Sequence, residues 1–237
     1  MIFALRHPAV LLGLLLGFLI GVPLRAACER AVAMDGISLR RRGRLRSVGR
    51  RRVRAGWSPA AGWAAYFDPY GAVAAVISGV GWGPRPQLRR SGKATDFWVL
   101  LTAVVVHGAL AAAGLAAYVG AGGAVSDFGS PFFDLSSVLH GSGTFGKVGL
   151  DVAAGFAAMN IGCGLLALWP IPPLELGVLL WSRLPRAAGA RRMAYHLLEE
   201  AWGVALTLLF LLLPLAGQQP LLLVLINDAS RAIFKHF

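Results

Sequence analysis

The residue types able to do chemistry in this chain sit inside or beside its apolar stretches. Arg25 and Glu29 lie four apart in one such run, a spacing that puts both side chains on one helix face as an ion pair. Glu175 follows Pro170-Ile171-Pro172-Pro173. Three prolines in four residues end a helix, because each lacks a donor N–H and its ring clashes with the preceding turn. Non-helical backbone at membrane depth is tolerated only where protein covers it or it lines a cavity, so an acid just past the break is a site candidate. An interfacial turn between two membrane helices is the plainer reading of the same spacing. His107 is the one ionisable residue of the apolar run 97–119. A lone histidine in such a run reads first as a neutral interhelical hydrogen-bond partner and second as a metal ligand. Asp68, just before a short apolar run, reads as a helix cap. Cys28 and Cys163 each stand in an apolar segment, which makes neither a disulfide framework nor a zinc ribbon; they read as small buried hydrophobes.

The elements that must position these residues are membrane helices. A chain of 237 residues that is 57% hydrophobic, with a mean hydropathy of +0.64, exceeds the apolar share of a soluble domain and reads as one integral membrane domain. The formal net charge of +12 would suggest nucleic acid in a soluble protein. Here 11 of the 23 basic residues fall between Arg25 and Arg54 with no recognisable reading module, so the lipid bilayer is the expected partner and nucleic acid is not.

Read in order, the chain gives a first core helix over 8–33, a basic cytoplasmic loop over 34–65, and a short re-entrant or interfacial region over 66–96. A span over 97–119 follows. A polar Gly- and Ser-rich connector over 120–146 leads to a span plus the PIPPLE break over 149–184. A hydrophobic stretch over 201–226 is interrupted by Pro214 and a Gly217-Gln218-Gln219-Pro220 turn. Arg6 before an apolar core imitates a signal peptide. Arg25, however, would stand three residues before a start at Cys28, where a small residue is required, so the run reads as a retained helix. Ala72 to Val80 is too short to span, since a spanning helix needs about 20 residues. Arg186, Arg191 and Arg192 read as a second cytoplasmic cluster. The expectation is an all-α, polytopic membrane protein with roughly four to six transmembrane or re-entrant helices.

Several of these segments together resemble the site-2 protease family of intramembrane zinc metalloproteases. The stretch from Asn160 through Pro170, Pro172, Pro173 and Glu175 resembles its second signature, N-x6-N-x2-P-I-P-P-L-D-G, whose Asp is the third zinc ligand; here Ala167 replaces the second Asn and Glu175 the Asp. Residues 35–45 resemble its G-D-x-T-A-R-x-x-G-R-L connector. Tyr66-Phe67-Asp68-Pro69-Tyr70-Gly71 resembles H-x-D-P-x-G, and Gly81-Trp82-Gly83-Pro84-Arg85-Pro86 resembles G-W-A-K-P-V-P. Thr102 to His107 stands at the place of A-G-P-x-x-N. The family's HE-x-x-H falls on Arg25-Ala26-Ala27-Cys28-Glu29, so Arg25 and Glu29 replace both zinc-binding histidines and Ala26 replaces the general-base Glu. The resemblance implies a site-2-protease-like core, with zinc held between the first and third core spans and an activity that cleaves other proteins' transmembrane helices.

A guanidinium cannot ligate zinc, so neither a catalytic residue nor a metal ligand is expected at the degenerate positions Arg25, Ala26 and Glu29. The reading that follows is a multi-pass, site-2-protease-like protein without catalysis. It would sit in the bacterial cytoplasmic membrane, a placement resting on Arg, Ala and Gly richness, and bind membrane partners such as single-span proteins. Arg25, Glu29, Asp68, Asn160, Pro170, Pro172, Pro173 and Glu175 are its structural or partner-binding residues, and no cofactor is expected. An active zinc metalloprotease with a rebuilt site remains as the alternative, with Glu29, His107, Glu175 and Cys28 as allowed ligand types. A small transporter is the second alternative, since carriers also combine broken helices with buried ionisable groups; no inverted repeat is visible.

Overall fold

In a computed structural model the described residues are 2–42, 66–84, 93–130, 133–139, 146–183, 188–216 and 219–234. The architecture is helical. Its core is formed by three helices that pack on one another: α1 (Pro8–Arg42), α3 (Lys93–Gly120) and α5 (Val148–Ala167). Within them Pro8–Val32, Phe97–Gly120 and Val148–Ala167 are long and apolar enough to cross a membrane. A fourth span is reached if the bent pair α7 (Ala188–Glu199) and α8 (Trp202–Leu212) counts as one. Three falls below the sequence expectation of roughly four to six transmembrane or re-entrant helices, and four meets its lower edge.

The order of contacts gives the bundle its direction. Gly13 packs on Val152, Gly17 on Met159 and Gly21 on Asn160, so α1 runs parallel to α5. Gly114 packs on Ala157 and Gly164 on His107, so α3 runs antiparallel to both. The approach is close because these contact positions carry no side chain. Between membrane helices it is dispersion and interhelical hydrogen bonds that hold the pair, and small residues admit both. The outer faces carry Leu12, Leu16, Leu19, Ile20 and Val105, all exposed, as helices bounded by hydrocarbon require.

Two corrections concern segment limits. The first helix does not stop at 33: α1 continues through Arg42 into the stretch read as the loop 34–65, while residues 43–65 lie outside the described set. Arg191 and Arg192, read as part of a loop, stand on α7, where Ala, Leu, Met and Arg favour helix; Arg186 lies outside the described residues.

The Gly- and Ser-rich connector also does more than link spans. It folds as a short 3-10 turn (Val125–Phe128), a two-residue ladder (Gly129–Ser130 against Phe133–Asp134) and α4 (Leu135–Leu139). Phe128, Leu135, Val138 and Leu139 are buried there, with Phe128 packed against Tyr118 and against Phe234 of α9 (Leu221–Phe234). The stretch 201–226 resolves into α8 and the start of α9, joined through a ladder of Pro214–Ala216 with Gln219–Pro220.

Candidate functional site

α2 (Pro69–Ser78) shows how sequence writes local structure near the site. Asp68 caps it, its Oδ1 accepting from Tyr70 N–H at 3.2 Å, and Pro69 takes the first helical position, where no N–H is needed. Gly79 closes it with φ of 86° and returns its N–H to Ala75 O. Asp68 serves twice: its Oδ2 also accepts the Trp82 indole N–H at 2.5 Å, which ties the cap to the following Gly-Trp-Gly segment. Ten helical residues at 1.5 Å each reach about half the hydrocarbon thickness, so α2 is a short apolar helix and not a span.

At the proline break two of the freed carbonyls find side-chain donors. Trp181 Nε1 donates to Pro170 O at 3.1 Å, and Thr207 Oγ1 of α8 donates to Pro172 O at 3.2 Å. The Pro172–Pro173 peptide is cis. Gly177 lies against Ile171 and Pro172 without a side chain to hold them apart. These two donors come from α6 (Glu175–Arg183) and α8, so the neighbouring helices supply part of what the broken backbone needs in lipid. Glu175 then opens α6, where the helix dipole favours an acid.

Arg25 lies between carboxylates from two elements. Its Nη1 pairs with Glu175 Oε1, its Nε stands 3.4 Å from Glu29 Oε1, and its Nη2 donates to Pro84 O at 3.0 Å. The cluster is dry: Arg25, Glu29 and Glu175 are 2%, 5% and 3% exposed. The Glu29 approach is Coulombic without hydrogen-bond alignment, for Arg25 Nε and Glu29 Oε1 have no hydrogen-bond partner. Gly83 backs the guanidinium, and a Cβ there would stand 3.0 Å from Arg25 Nη2. Ala26, beside it on α1, is buried.

One turn back along α1, His107 and Asn160 form a second buried polar contact. Asn160 Nδ2 donates to Phe156 O at 3.0 Å, which leaves its Oδ1 as acceptor for the His107 Nδ1–H at 3.0 Å. Both stand against Gly21, whose missing side chain makes the room. Cys163 Sγ donates weakly to Gly81 O at 3.3 Å and lies 3.6 Å from Met159 Sδ; Cys28 is half-buried.

The structure therefore brings Arg25, Glu29 and Glu175 together, and His107 with Asn160, while Asp68 stands apart as a cap. Among the described residues no three His, Cys, Asp or Glu side chains are placed to hold a metal ion. Zinc does not fit the central cluster as it stands, because a guanidinium fills the space between the two carboxylates and repels a cation. Three contributors were missed in the sequence: Pro84 O, the His107–Asn160 pairing, and the glycines at 13, 17 and 21. The last had a visible signal, a small-xxx-small run in an apolar helix. No family model matches the chain, and no characterised protein or solved structure does so either.

Proposed function

We propose that the chain is a multi-pass membrane protein of site-2-protease-like architecture that does not cleave, and that acts by binding membrane partners such as single-span helices. One observation carries the reading: the Arg25 guanidinium lies buried between Glu29 on the first core span and Glu175 just past the proline break. In a zinc enzyme of this kind three ligands and an open position for water are required. Here the central position is taken by a cation of the protein's own, and Ala26 has no proton to move. His107 is engaged by Asn160 at 3.0 Å. What remains is a rigid polar centre inside three close-packed helices, a framework suited to recognition.

The test is the zinc content of the detergent-purified protein after mild chelator washing, read by elemental mass spectrometry. The expected result is below about 0.1 zinc per chain, as for a site without an adequate ligand set. Near one zinc per chain, lost on Glu175→Gln, would overturn the proposal and establish the rebuilt metalloprotease. Where zinc is absent, photo-crosslinking from the exposed face of α3 in membranes identifies the bound partner.

A further inference from the structure

α7 and α8 meet at a 71° bend. Their combined apolar length would allow one span, but α7 is two-faced. Leu197 is buried and Ala194 and Leu198 are half-buried against the body, whereas Arg191, Arg192 and Tyr195 are exposed. A short helix with arginines and an aromatic on its outer side is suited to lie in the interface plane and unsuited to cross hydrocarbon. The bend then marks where the chain turns from the surface into the apolar α8.

The bundle's direction says which surface. α1 and α5 run parallel, so the basic tail of α1 (Arg40, Arg41, Arg42) and the segment after α5 leave the same end. α7 closes on that end: Leu197 and Leu198 share a cleft of about 360 Å³ with Phe67, Tyr70, Pro84 and Pro172. Tyr66, at the start of this segment, carries the Arg30 guanidinium 4.4 Å above its ring, which fixes the level on α1. Aromatics stand exposed at the same end: Trp98 near the start of α3, Tyr195 on α7, and Trp202 at the bend. Aromatic rings at headgroup level with arginines beside them define a membrane interface on its cation-rich side. Among the described residues neither Arg191 nor Arg192 has an ion-pair partner.

We propose that α7 is a surface-lying helix that binds anionic phospholipid through Arg191 and Arg192, with Tyr195 and Trp202 seated at headgroup depth. The partner is a lipid whose headgroup carries a net negative charge, such as phosphatidylglycerol. This inference is independent of the non-catalytic reading of the Arg25 cluster.

The experiment uses the full-length protein in a non-ionic detergent, titrated with short-chain phosphatidylglycerol or short-chain phosphatidylcholine, with amide hydrogen exchange followed over 188–199. Phosphatidylglycerol is expected to slow exchange in α7, and phosphatidylcholine is not. In the Arg191→Gln/Arg192→Gln variant the midpoint should rise about 25-fold, roughly fivefold for each basic residue at an anionic surface. Both arginines are exposed, so the variant should keep the wild-type thermal midpoint and remain interpretable. The proposal is overturned if the two lipids act equally, or if the double variant responds as the wild type does. Strong protection of α7 in every condition, as for a helix crossing the apolar phase, overturns it as well.

Discussion

Replacing Arg25 by Ala takes the ion-pair partner from two carboxylates that are 5% and 3% exposed. Breaking a buried ion pair from one side costs about 3 to 5 kcal/mol, because the charge left behind has lost its solvent and its counter-ion together. Folded domains are stable by about 5 to 15 kcal/mol, so the loss is about a fifth or more of the total. For a chain of this size about 2 to 4 °C accompanies each kcal/mol, which gives a fall of about 6 to 20 °C in apparent melting temperature. Arg25→Lys keeps the charge and loses the fork that reaches Glu29, Glu175 and Pro84 together, so its fall should be smaller. The informative partner is Arg25→Met/Glu29→Leu/Glu175→Leu, which removes every charge at once. Apolar replacement of a whole buried cluster is often neutral or stabilising by about 1 to 4 kcal/mol, so this triple variant should melt above Arg25→Ala. The assay is thermal challenge in detergent followed by fluorescence-detected gel filtration. An Arg25→Ala protein that melts with the wild type, or a triple variant that melts below it, would falsify the account of Arg25 as the cluster's charge balance.

Gly13→Val should sharply reduce folded yield, since a Cβ there meets the Val152 backbone and overpacking costs about 1 to 3 kcal/mol or more. Gly108→Ala, on the same bundle with nothing within 4 Å, should instead stabilise by up to about 1 kcal/mol, read as a raised melting temperature. A double-mutant cycle between His107→Ala and Asn160→Leu should give a coupling energy of about 0.6 to 1.7 kcal/mol, the range for hydrogen bonds between membrane helices; a value near zero would show that the 3.0 Å contact is energetically idle. Asp68→Ala should cost about 1 to 2 kcal/mol by thermal melting through loss of the α2 cap, with the Trp82 indole orphaned as well. Asp68→Asn keeps one oxygen acceptor for these two donors, so it should recover only part of that loss.

Local spacing carried much of this. The i, i+4 relation of Arg25 and Glu29, the Asp68–Pro69 start of α2 and the end of α5 before its prolines each depend on a few neighbouring residues, so the sequence alone determined them. The three spans were legible too, because hydrocarbon thickness fixes how long an apolar run must be. Composition misled where it described polarity without contacts: a Gly- and Ser-rich connector still buries Phe128 and Leu135 against the bundle. Tertiary structure alone decided that Glu175 reaches Arg25, that Pro84 supplies the third acceptor, and that His107 faces Asn160 across Gly21. No spacing rule connects such positions. They meet because α1, α3 and α5 pack at one register, and that register is set by which small residues let the backbones approach.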